Sequence, residues 1–195
     1  MLTTLPWFVV YVNPSQENFA AAVLCCKGYD VFLPTYAARR RGSSDKVIAQ
    51  RPLFPGYLFC RCGPEITGRI VTTPGVIRIV GAGKTPIPVS EEEVTSIRTL
   101  VSANVAVRPW RYLPAGTLVR IENGPLKGVQ GILIAEGSRS RLVVSISILQ
   151  RSTAVTLDSD TSITVMSLAG SKHHIPDQSP EESLLLLRMR GLCLD

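Results

Sequence analysis

Five cysteines and two histidines are the side chains here best suited to hold a metal or act as nucleophiles. A zinc site uses pairs such as C-x2-C, matched by a second pair. The chain offers instead Cys60-x-Cys62 and the adjacent Cys25-Cys26. Cys60 and Cys62 alternate within a strand-like run and share a face with Leu58, so they read as small apolar core residues. No metal and no cofactor is expected. A cysteine hydrolase needs a base within hydrogen-bond reach and a third group to orient it. The two histidines, His173 and His174, are neighbours in a polar stretch with no sign of order. Glu91–Glu93 follow Ser90 and are accounted for by a helix N-terminus. "GAGKT" (Gly81–Thr85) ends like a phosphate-binding loop. Yet the first glycine of that motif would fall on Arg78, and Pro86 and Pro88 block the helix that must follow. The chain is therefore not expected to be an enzyme.

A different chemistry is concentrated in "RPLFPGYLFCRC" (Arg51–Cys62), where three aromatics surround a Pro-Gly pair. Residues 57 and 59 fall on one strand face, and 58, 60 and 62 on the other. One row can be core and the other surface. Aromatic side chains give large contact area with little entropy to lose, so such a row suits protein recognition.

The surrounding elements follow from pattern. Pro6–Asn13 is β-branched and aromatic, a strand. Ser15 is placed to N-cap a helix carrying Phe19, Ala22, Val23 and Cys26, with Gly28 as its C-cap. Asp30–Tyr36 is a second strand broken at Pro34, and Ala37–Lys46 a basic loop or hairpin tip. Two strands flank the Leu53–Pro55 turn. A short helix precedes a strand from Val76, and residues 81–89 are loop. Ser90-x-x-Glu93 forms a capping box opening another helix. The result is an α+β domain with an antiparallel sheet flanked by helices, over residues 1–103. Residues 104–112 have no period and read as a linker. Short strands separated by turns over 113–168 fit a small all-β barrel. Residues 169–195 read as a disordered tail.

The chain has 195 residues and net charge +6, with a pI near 9.3. That balance permits nucleic-acid contact without demanding it. No secretory signal is read in "MLTTLPWFVVYVN", and no run approaches the roughly 18 apolar residues of a membrane span. A reducing cytoplasm, no membrane and a monomer are expected.

"VRIENGPLKGVQGILI" (Val119–Ile134) resembles the KOW motif, with Gly124, Pro125, Lys127, Gly128 and Gly131 in place. "SRLVVSISILQRSTAVTLD" (Ser140–Asp158) is similar to the rest of the NusG C-terminal domain. "WFVVYV", "VFLPTY", "PLFPGYLF" and "PGVIRIVG" follow in the order and spacing of the NusG N-terminal domain. The resemblance spans about residues 6–168 and implies a bacterial transcription elongation and antitermination factor. Its first domain would seat the clamp helices of RNA polymerase and suppress pausing. By position, the resemblance implies a polymerase-binding patch of Phe8, Tyr11, Phe54, Pro55, Tyr57 and Phe59. Thr67, Gly68 and Arg69 would face the gate loop.

"RPLFPGYLF" is similar to the specialised paralogues RfaH and the UpxY-type antiterminators. RfaH's "HTTT" is not reproduced, and its DNA-reading helix is matched here only by Lys27. Arg39, Arg40, Arg41 and Lys46 read either as a solvated loop or as a contact to upstream or non-template DNA. In the KOW barrel, "SILQRS" replaces the family's "SIFGR". Leu149 stands for Phe, Gln150 for Gly, and Arg151 is kept. That loop implies contact with the NusE ribosomal protein or with Rho. The alternatives are a housekeeping NusG or a KOW-type RNA-binding or ribosomal protein.

Overall fold

The structure is a computed structural model. It describes residues 5–39, 48–63, 67–83, 85–103, 105–113, 116–136, 139–158 and 160–169. The described residues are mixed α/β, with three α-helices and two principal antiparallel sheets among them.

The centre of the first sheet is β1 (Trp7–Val12), an almost wholly apolar strand buried on both faces. Its neighbours are β5 (Tyr57–Arg61) on one side and β6 (Val76–Ile79) on the other, with β2 (Asp30–Phe32) at the edge beyond β5. Strand parity divides β1. Phe8, Val10 and Val12 point into one cluster with Leu58, Cys60 and Cys62. Trp7 and Val9 point into the other, with Phe54 and Phe59. α1 (Glu17–Cys26) covers the first cluster with Ala20 and Leu24, and α2 (Thr67–Val71) adds Ile70.

β3 (Thr35–Arg39) and β4 (Ile48–Pro52) form a separate hairpin, with Thr35 opposite Pro52. The expected start of α1 is displaced. Ser15 takes a left-handed φ of 66°, and Gln16 is the N-cap, with φ −107° and no side-chain cap bond. Gly28 does follow the helix with a positive φ, as expected. The expected loop at 81–89 is partly paired. β7 (Gly81–Ala82) and β8 (Thr85–Pro86) form a small ladder, and β9 (Pro88–Val89) pairs with β1 opposite Trp7 and Phe8. Prolines are tolerated there because these are short edge segments.

α3 (Glu91–Ser102) buries Val94, Ile97 and Leu100 at helical spacing. Each such burial stabilises by about 1.5–3 kcal/mol. Its N-cap is Ser90, whose Oγ accepts from Glu92 N–H at 3.2 Å.

The second sheet runs β10-β14-β13-β12-β11-β15. Its strands are β10 (Arg108–Trp110), β11 (Gly116–Ile121), β12 (Gln130–Glu136), β13 (Arg139–Ile146), β14 (Arg151–Thr156) and β15 (Ile163–Ala169). Two of these correct the sequence reading. β10 lies inside the expected linker and pairs with β14, Arg108 opposite Ala154. Pro109 lacks an N–H, which an edge strand accepts. β15 was not anticipated, and pairs with β11. The inner residues of the second sheet, Val119, Ile121, Leu142, Val144, Ile146 and Val155, join α3 and the Trp7–Phe59 face in one continuous apolar cluster. Among the described residues no helix is long and apolar enough to cross a membrane.

Candidate protein-binding surface

Tyr11 and Tyr57 sit directly opposite each other on β1 and β5, with ring centroids 5.2 Å apart. Both are half-buried, and Pro55 beside them is exposed. Beneath them Phe54 and Phe59 are 1% and 0% exposed, so they support the surface from the core. Phe54 meets Phe59 edge-on at 6.1 Å, and Phe32 lies 5.9 Å from Phe59. Phe8 is not brought to this face. It is 4% exposed and packs under α1 on the opposite side of the sheet, because residues one apart on a strand point opposite ways.

The turn that presents Tyr57 is tightly held. Gly56 has φ +81°, and a Cβ there would stand 3.3 Å from the Tyr11 ring. Its N–H donates to the buried Glu17 carboxylate at 2.8 Å, and its carbonyl accepts from Val12 N–H at 2.9 Å. Tyr57 N–H closes the turn on the Phe54 carbonyl at 3.0 Å.

Two guanidinium groups flank the tyrosine pair. Arg78 lies over Tyr11 at 5.9 Å, and Arg151 lies over Tyr57 at 5.3 Å. Arg151 belongs to the other candidate surface, the 147–151 loop of the second sheet. There Ser147–Leu149 form a 3-10 turn ended by Gln150 in a left-handed conformation, φ 49°. Ile148 and Leu149 are partly buried against the shared apolar cluster. Glu93 of α3 accepts from Ser147 Oγ at 2.6 Å and from Ser147 N–H at 3.2 Å. Ser96 accepts from Gln130 N–H at 3.4 Å. The two expected surfaces therefore meet face to face.

The glycine-rich stretch forms the β11–β12 connection. Gly124 and Pro125 open a 3-10 turn, Lys127 is exposed after it, and Gly128 N–H donates to the Ile121 carbonyl at 2.8 Å. At Gly131 a Cβ would stand 2.6 Å from the Val143 carbonyl, so the strands approach as only glycine allows.

Other expected contacts are placed elsewhere or lie outside the described residues. Thr67 and Arg69 are on α2, where the Arg69 carbonyl accepts from Lys27 Nζ at 3.4 Å. Lys27 also donates to Thr73 Oγ1 at 2.7 Å, so this cation is tied to the protein's own backbone and side chains. Arg39 ends β3, while Arg40, Arg41 and Lys46 lie outside the described residues, as do His173, His174 and the 170–195 tail. Among the described residues no cluster of three potential metal ligands occurs. Cys60 is buried, and its thiol pKa is pushed up by the Cys62 thiol hydrogen-bonded to it and by burial.

Glu17 and Ser147 were not singled out from sequence, and Glu93 was read only as the capping-box acid of α3. Glu17 and Glu93 each sit in a helix first turn, where an acid is already explained by the dipole, and nothing local signals a partner 39 or 54 residues away.

A family model described as transcription termination factor NusG matches residues 5–98. The transcription termination/antitermination protein NusG of Deinococcus radiodurans is 33% identical over 185 residues, covering 80% of this chain and 96% of that protein. The protein of the same name from Borreliella burgdorferi is 32% identical over 141 residues, covering 66% and 77%. That of Thermus thermophilus is 29% identical over 176 residues, covering 80% and 96%. Among solved structures, Thermotoga maritima NusG overlaps 78% of this chain and 92% of its own, with 22% identity and a TM-score of 0.46. With relatives above 30% identity matched over most of their length, the chain belongs to the NusG family of transcription termination and antitermination proteins.

Proposed function

We propose that this chain is an elongation and antitermination factor that binds bacterial RNA polymerase through the Tyr11–Pro55–Tyr57 surface. The observation that carries this reading is the tyrosine pair, held at 5.2 Å over a phenylalanine floor and flanked on its own sheet by Arg78. Such a surface suits a partner with apolar side chains rimmed by acids. No bond is made or broken. The protein acts by favouring the polymerase conformation it binds best.

Residues 1–103 serve as the polymerase-binding domain and 113–168 as a KOW barrel that recruits a second partner, NusE or Rho, through Leu149 and Arg151. The stacking of Arg151 on Tyr57 gives the two activities a coupling. Neither surface is fully available while they face each other, so engagement of one frees the other. The "PLFPGYLF" segment and the replacement of Phe-Gly by Leu149-Gln150 support a specialised antiterminator over a housekeeping factor. The test is binding of the full chain to purified bacterial RNA polymerase. Tyr57→Ala should weaken it by roughly thirtyfold, the range of an aromatic interface anchor. Equal binding by the folded variant contradicts the reading.

A further inference from the structure

Glu17 is 5% exposed, and its carboxylate is not used to cap its own helix. It reaches instead across 39 residues to the Gly56 amide, at 2.8 Å in a buried setting. A buried carboxylate that accepts a backbone N–H makes a charge-assisted hydrogen bond, stronger than a neutral one. Gly56 is the residue on which the turn depends. Its carbonyl is taken by Val12 N–H, and its φ of +81° suits glycine. With the amide and carbonyl both fixed, the peptide planes on either side of Gly56 have no freedom to rotate. Tyr57 follows directly, and its ring must meet Tyr11 across the ladder.

We infer that Glu17 is a positioning residue for the proposed polymerase-binding surface. Its carboxylate sets the Phe54–Tyr57 turn and thereby the orientation of Tyr57. This inference rests on the proposed function for its consequence in binding, but not for its geometry. Without the carboxylate, the Gly56 amide would be left in a buried site with no acceptor, and the turn would reopen to reach water.

The full-length chain is compared with Glu17→Ala and Glu17→Gln by residue-resolved amide hydrogen exchange and by polymerase affinity. In Glu17→Ala the Gly56 amide should exchange at least about tenfold faster, with α1 and the centre of β1 still protected, and affinity should fall about tenfold. Glu17→Gln keeps an acceptor oxygen and should restore both to within about threefold of the parent. Unchanged Gly56 exchange in Glu17→Ala overturns the inference. Uniform acceleration through α1 and β5 overturns it too, because Glu17 would then hold the whole fold and not the turn. Should Tyr57→Ala bind polymerase like the parent, the functional reading fails, while the exchange measurement still decides the role of Glu17.

Discussion

Gln150 occupies a left-handed backbone position where the family's motif carries glycine. A non-glycine residue there is strained by about 1 kcal/mol. Gln150→Gly should therefore raise the melting temperature by about 2–4 °C in a chain of this size. A lower melting temperature would mean that the Gln150 side chain makes a compensating contact. Thiol chemistry should divide equally clearly. Cys25 and Cys26 are exposed, whereas Cys60 and Cys62 are buried. Mass-resolved alkylation at mildly alkaline pH should label the helical pair and spare the strand pair until the protein unfolds. Glu92 titrates below the ordinary carboxylate range because Ser90 hydrogen-bonds its charged form. Its folded value is depressed, so its contribution to stability is present above the unfolded pKa and fades as pH falls through the folded one. In Ser90→Ala the Glu92 titration, followed by NMR, should move back up. A midpoint that stays put would show that Ser90 is not its cause.

At the level of elements, the close approach at Gly131 sets the spacing of β12 and β13. Gly131→Ala would drive a Cβ against the Val143 carbonyl and should destabilise the fold by about 1–3 kcal/mol in denaturant titration. A neutral result would show that the strands can part at little cost. α1, α3 and the strands β1, β5, β11, β12, β13 and β14 were readable from sequence because apolar periodicity reports a face. β10 and the β7–β9 segments were not, because two- or three-residue strands containing Pro86, Pro88 and Pro109 carry no period. Their existence is decided by the neighbouring edge that pairs with them. The capping box was half right. Ser90 caps α3, but Glu93 turns to Ser147 and leaves the box open. Parity within β5 was legible and separated Tyr57 and Phe59 from Leu58 and Cys60. Parity within β1 gave the same information and places Phe8 on the far side from Tyr11.

Across the whole molecule, α3 is tied to the second sheet by polar links that include Glu93 to Ser147 and Ser96 to Gln130, over a shared apolar cluster. These bonds are largely solvent-exposed, so Glu93→Ala should reduce the association of the second sheet with α3 by only about 1 kcal/mol. By the proposed coupling, it should strengthen polymerase binding about fivefold. The most direct test of the central claim is the affinity of the full chain for bacterial RNA polymerase, parent against Tyr57→Ala, with the fold of both checked by amide exchange. The account predicts a loss of roughly thirtyfold with the fold retained. Equal affinity in the folded variant would contradict it and move the binding surface away from the tyrosine pair.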